Sequence, residues 1–215
     1  MAARSGRARL PPDHRGMHEA VWSRHHAIAA LDDPARPGWE DPRALWRRVG
    51  LAPGMTVVDV GAGTGFYAFP AAERTGPDGR VFAVDRSRAL VALVRARARA
   101  RHLANVVAVG SRPDRIPLRG GIADRVLLAN VLHGLPPSTI AEAVRLLRPG
   151  GQLIDVDWKR SFRRPGPDGP PVAHRLSPAA ARAVLQRYGL APVRSGPFGP
   201  YLYVVVMERP ARLRR

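Results

Sequence analysis

"VVDVGAGTGFY", Val57 to Tyr67, sets three glycines at alternate positions behind an apolar run broken by a single aspartate. An apolar run of this length, bounded by turn signals, reads as a buried strand. Glycines directly after it let the chain take up positive φ and come close to a ligand. If a helix follows, its N-terminal amides face the same place and favour an anionic group.

The chain on either side repeats one rhythm. Upstream, Met17–Leu31 reads as a helix broken by "DDPARPGWEDP", and Arg43–Val49 reads as a short helix ended by Gly50. Strands are expected at Met55–Val60, Arg80–Asp85, Asn105–Gly110, Ala123–Asn130 and Gln152–Trp158. Helices fall between them, at Phe66–Arg74, Ser87–Arg101 with Ser87 as its cap, and Ser138–Leu147 closed by "RPGG". After a Pro/Gly-rich loop, Phe162–Pro171, come a helix at Ser177–Tyr188 and two strands within Ala191–Glu208. Strands that are nearly continuous Val, Leu and Ile, separated by helices, predict a parallel sheet covered on both faces. Only Gly196–Pro200 separates the last two strands, too little for a crossover helix, so they pair antiparallel or lie as near neighbours. The expectation is a doubly wound α/β fold with a seven-stranded, mostly parallel sheet and an antiparallel C-terminal strand. Its divisions are a basic arm (1–16), an N-terminal helical segment over the site (17–50), a ligand-binding domain (51–208) and a basic tail (209–215).

In such a fold ligands bind at the carboxyl ends of the strands, on the first strand-to-helix turn. Asp85 ends the second strand twenty residues past Gly65, where a carboxylate accepts hydrogen bonds from both hydroxyls of a ribose. Together the two motifs predict a nucleoside-containing ligand. The glycine spacing departs from the dinucleotide pattern, because Phe66 stands where its last glycine belongs. Asp59 would also oppose a pyrophosphate, but it suits a cationic ligand.

Gly61, Gly63 and Gly65, with Asp59 before them and Asp85 beyond, resemble the class I S-adenosylmethionine-dependent methyltransferases. "LRPGGQLIDVDW" (Leu147–Trp158) and the terminal strand pair fit the same family. Within it, "ALDDPARPGWEDP" and "DWKR" with the "GPP" and "HRLSP" that follow are similar to the ubiquinone/menaquinone-type branch. The resemblance implies S-adenosylmethionine as cofactor, on Asp59, Gly61, Ala62, Gly63, Gly65, Asp85, Arg86, Ser111 and Asn130. The loop would lie against the amino-acid moiety, with Asp59 ordering the loop or meeting the ammonium. Asp85 would hold the ribose, and Asn130 would stand beside the methionine. Gly110-Ser111-Arg112 lacks the acidic residue that relatives place against adenine, leaving Ser111 as the acceptor there.

Methyl transfer needs a base only when the acceptor sheds a proton. His133, Asp155, Asp157 and His174 are candidates, with His133 and Asp157 expected at the wall of an acceptor site closed by Met17–Trp39 and Phe162–His174. Without cysteine, disulfides, thiolate metal sites, cytosine C5 attack and arsenic ligation all fall away. His14/His18 and His25/His26 lack a supporting ligand set, and no metal is expected. "ANVLHGL" is not the signature of exocyclic-amine methylation. A small organic acceptor is therefore favoured over RNA or protein, and a non-catalytic cofactor-binding module is the remaining alternative. No run reaches the roughly 18–20 apolar residues of a membrane span, and the basic start lacks an apolar leader core. Both features point to a cytoplasmic protein.

The net charge of +18 points the other way, toward a polyanion. Yet Lys159 is the only lysine among 35 basic residues, and Ala, Gly and Pro are also abundant. That joint bias fits GC-rich coding drift, and "RARARAR" (Arg95–Arg101) reads as a solvated helix face.

Overall fold

A computed structural model describes residues 28–29, 31–161 and 169–211. Seven strands form one sheet: β1 (Thr56–Val60), β2 (Arg80–Asp85), β3 (Val106–Gly110), β4 (Ala123–Ala129), β5 (Leu147–Trp158), β6 (Ala191–Phe198) and β7 (Leu202–Glu208). Their order is β3-β2-β1-β4-β5-β7-β6. The first five run parallel, and β7 inserts antiparallel between β5 and β6. Helices that cover the sheet among the described residues are α1 (Pro42–Arg48), α2 (Ala68–Thr75), α3 (Arg88–Ala100), α4 (Pro137–Leu146) and α5 (Pro178–Gln186). The expected architecture stands.

Local chemistry sets the helix starts. Asp41 accepts from the amides of Arg43 and Ala44, and Pro42 fills the first position of α1. Ser87 caps α3 and Ser177 caps α5 in the same way. The expected helix over Met17–Leu31 lies outside the described residues, except that 28, 29 and 31 are helical.

One boundary moves. β5 begins at Leu147, not Gln152, because Leu147 already pairs with Ala123 before a register shift. The "RPGG" read as a helix stop is part of that irregular strand, and the Gly150 amide donates to the Arg209 carbonyl.

Side chains alternate across the sheet and build two cores. Ile154, Val156 and Trp158 of β5 join Val57, Trp46 and Phe69 on one face. Leu153 of β5 joins Val58, Val60, Leu185 and Tyr203 on the other. Helix α1 belongs to the first core: Leu45 and Trp46 are fully buried, and the indole N–H donates to the Tyr67 carbonyl at 3.0 Å. The segment ahead of β1 is thus part of the packing as well as a neighbour of the site.

Because β1 pairs with β2 on one side and β4 on the other, the chain reverses winding direction there. A crevice opens at such a switch point, at the carboxyl ends of the strands. The glycine loop leaves β1 at that spot.

Candidate active site

The loop Gly61–Gly65 takes its shape from backbone angles that residues with a side chain rarely adopt. Its three glycines have φ of 79°, 56° and 91°. A Cβ on Gly61 would stand 2.8 Å from the Val131 side chain, and one on Gly65 would stand 2.4 Å from the Phe69 ring. The Gly61 and Ala62 amides donate to the Val84 carbonyl, which ties the loop to β2.

Asp85 completes that tie. Its carboxylate accepts from the Gly63 amide at 3.0 Å and from the Ser87 amide at 2.8 Å. Burial raises its pKa, opposed by backbone hydrogen bonds from Ser87, Gly63 and Arg86. Asp59 is expected either to order the loop or to meet an ammonium group; the loop amide of Gly63 donates to Asp85 instead. No hydrogen bond reaches the Asp59 carboxylate among the described residues. The group is buried, and burial together with Asp85 raises its pKa to about 7, with Arg36 opposing.

Asn130 follows β4 with φ of 58°, in the left-handed region where asparagine is tolerated. Its amide nitrogen donates to Glu40 at 2.9 Å, while its Oδ1 is buried without a donor. Ser111 sits past β3, its amide donating to the Asp85 carbonyl. Arg86 is exposed beside Asp85. The sheet thus brings the ends of β1, β2, β3 and β4 to one edge.

The charged pair at 36 and 40 escaped sequence reading. Arg36 donates to Glu40 from Nε at 2.8 Å and from Nη2 at 3.2 Å, and both residues are buried. Glu40 also accepts from the Tyr67 hydroxyl at 2.7 Å, so this carboxylate joins the N-terminal segment, the glycine loop and β4. The Arg36 guanidinium lies 3.9 Å over the Phe66 ring. Leu31 of the same segment lies against Gly63. An i,i+4 charge pair around "PG" carries no mark of burial in sequence.

At the far side of the crevice, His133 and Asp157 meet. Nδ1 of His133 lies 2.8 Å from the Asp157 carboxylate, whose other oxygen accepts from the Trp158 amide. With Nδ1 as the donor, Nε2 keeps its lone pair, and it has no partner among the described residues. Asp155 lies on the same face, fully buried, and is not joined to this pair by a hydrogen bond. His174 ends a short 3-10 turn at residues 172–174. Trp39 packs on Trp158 at 5.5 Å and on Tyr201 at 5.9 Å between ring centroids. Trp22 and residues 162–168 lie outside the described residues.

The donor set fits the amino-acid and ribose portions of S-adenosylmethionine. Among the described residues neither the Asp59 carboxylate nor the buried Asn130 Oδ1 has a donor, which suits an ammonium group. The backbone hydrogen bonds to Asp85 still leave it lone pairs for ribose hydroxyls.

Comparisons with known proteins agree. Residues 57–151 match a family model described as a methyltransferase domain. A crystal structure of a SAM-dependent methyltransferase from Aquifex aeolicus superposes with a TM-score of 0.78 at 31% identity, covering 84% of this chain and 96% of that one. The chain belongs to the class I S-adenosylmethionine-dependent methyltransferases, whose cofactor is S-adenosylmethionine. Among curated relatives, the ubiquinone/menaquinone biosynthesis C-methyltransferase of Bordetella parapertussis is 33% identical over 115 residues, 53% of this chain and 44% of that protein. The demethylmenaquinone methyltransferase of Lactococcus lactis is 27% identical over 120 residues, 53% of this chain and 48% of that protein. The chain therefore spans about half the length of the curated relatives it matches.

Proposed function

We propose that this protein transfers a methyl group from S-adenosylmethionine to a small organic acceptor whose nucleophilic atom sheds a proton. The observation that carries the reading is the His133–Asp157 pair, with Nε2 of the imidazole left as a proton acceptor. An acceptor that is already anionic, or a neutral thioether, would need no such pair.

The cofactor supplies a methyl carbon already activated by a positively charged sulfur. The chain's own share is placement and proton uptake. Asp59 and Asn130 receive the ammonium, and Asp85 receives the ribose while it holds Gly63 in place. Ala62, Arg86 and Ser111 complete the cofactor lining. Alignment of nucleophile, methyl and sulfur then provides much of the rate. His133 takes the acceptor's proton at Nε2, and Asp157 stabilises the imidazolium. Trp39, Trp158 and Tyr201 form an aromatic wall that limits water.

The quinone-ring substrates named for the curated relatives support a small cyclic acceptor. Phenols and activated ring carbons both lose a proton on methylation, as the base requires. The test uses tritiated S-adenosylmethionine with quinone precursors, phenols and amines. Transfer to a phenol or quinone precursor is expected. His133→Asn should lower that turnover by roughly 10²–10⁴ while leaving S-adenosylhomocysteine affinity within a few-fold. Full activity in His133→Asn overturns the role given to His133.

A further inference from the structure

Behind the His133–Asp157 pair lies a second carboxyl group that the proposed reaction does not touch. Asp155 and Asp157 share one face of β5, separated by the outward turn of Val156 into the opposite core. Both are fully buried. Asp157 has a donor on each oxygen, from His133 and from Trp158. Asp155 has none: both of its oxygens are buried without a hydrogen bond. Its register partners in the sheet are Leu128 on β4 and Val205 on β7, both apolar. Tyr203 stands opposite Asp157 on β7, and its hydroxyl is buried and unpartnered as well. The Asp157 charge also acts on the Arg175 guanidinium, raising its pKa against the effect of burial.

A buried carboxylate without donors forfeits its whole hydration and takes up a proton instead. A second negative charge two residues along the strand works in the same direction. We propose that Asp155 is a positioning residue for the proton acceptor: it stays in the carboxylic acid form behind Asp157, so that the cluster holds one negative charge, and that charge faces His133. The inference rests on the reading of His133 as the base. Burial and the neighbouring Asp157 push the Asp155 pKa well above the usual carboxylate range, opposed by the Tyr203 hydroxyl, which stands near but outside hydrogen-bonding geometry; burial and the two aspartates likewise raise the Tyr203 pKa above that of a free phenol.

The consequence is a charge balance. When Nε2 takes the acceptor's proton, imidazolium and the Asp157 carboxylate sum to zero in a buried site. Asp155 keeps its proton throughout, and His133 returns its proton to water after product leaves. Were Asp155 ionised, the resting imidazole would face two carboxylates. It would then be protonated in advance and unable to act as a base.

The test reads protonation directly and needs no acceptor. In protein labelled with ¹³C at the aspartate carboxyls, one resonance other than that of Asp59 should keep the shift of a protonated acid at pH 8. Asp155→Asn should remove that resonance. In histidine-labelled protein, the His133 titration and its Nδ1–H tautomer should be the same in wild type and Asp155→Asn, to within a few tenths of a pH unit. Asp157→Asn should abolish the tautomer preference. A fall in the His133 midpoint by about one to two pH units in Asp155→Asn, the loss expected when a nearby charge is removed, overturns the proposal. So does wild-type protein in which every aspartate is ionised at pH 8, a measurement that stands even if Asp155→Asn does not fold. An inactive His133→Gln protein with an intact Asp155 resonance would separate this inference from the turnover assay.

Discussion

Asp59 shows how much one residue's surroundings decide. In sequence it is the carboxylate two places before a glycine loop, and in the fold it is a buried acid with a pKa of about 7 and no hydrogen bond from the described residues. Its folded pKa lies above the value of about 3.9 for the unfolded chain, so the native state binds this proton more tightly. Its contribution to stability is complete below about pH 4 and is lost as pH rises to about 7. A cationic ligand acts against that cost, because an ammonium group favours the ionised carboxylate. S-adenosylhomocysteine should therefore bind more tightly at pH 7.5 than at pH 5.5, with release of a proton on binding at the lower pH. Titration calorimetry in two buffers of different ionisation heat measures both. Asp59→Asn should flatten the pH dependence and gain stability at pH 8 relative to pH 5. An unchanged pH profile in that variant would place the ammonium elsewhere.

At the scale of elements, the segment from Leu31 to Asp41 does more than precede the first helix. It brings Arg36 and Glu40 into the core, and Glu40 gathers hydrogen bonds from Arg36, Tyr67 and Asn130. Removing one partner of a buried pair leaves the other charge uncompensated, which costs roughly 3–5 kcal/mol. Glu40→Gln should lose about that much in urea denaturation and should weaken S-adenosylhomocysteine binding through Asn130. A loss below about 1 kcal/mol, the range of an exposed pair, would mean that the segment detaches without consequence. The arginine run on α3 shows a similar division. It was expected to be a solvated face, yet Arg97 pairs with Asp32 and donates to the Thr64 carbonyl, while Arg101 stacks on Phe69. Arg95 and Arg99 are exposed. Residues four apart share a helix face, so one half of the run meets the N-terminal segment and the other meets water.

For the molecule as a whole, the charge of +18 is the open physical question. Ion pairs inside the structure, such as Arg36 with Glu40, Arg97 with Asp32, Arg145 with Glu142 and Arg148 with Asp124, each cancel one base against one acid, so the remainder is the full net excess. If the remainder reflects composition, duplex RNA should bind at about 10⁻⁴–10⁻⁶ M at physiological salt, with a steep salt dependence. Filter binding across a salt series checks this. Sequence-selective binding that survives high salt would give the arginines a partner. No helix among the described residues is long and apolar enough to cross a membrane.

The sequence by itself determined the strand-and-helix order, the glycine loop and the carboxylate that ends β2. Each of these depends on local steric rules or on side-chain periodicity, which act over a few residues. Asp157 and His133 were legible as residues of one acceptor-site wall but not as a hydrogen-bonded pair, because the 2.8 Å between them depends on β4 and β5 being neighbours. The division of labour between Asp59 and Asp85 was likewise invisible, since it follows from which carboxylate the parallel register sets beside the Gly63 amide. Glu40 and Asp155 were decided by tertiary structure alone. A carboxyl group's protonation and partners depend on what excludes water from it, and those groups come from distant parts of the chain.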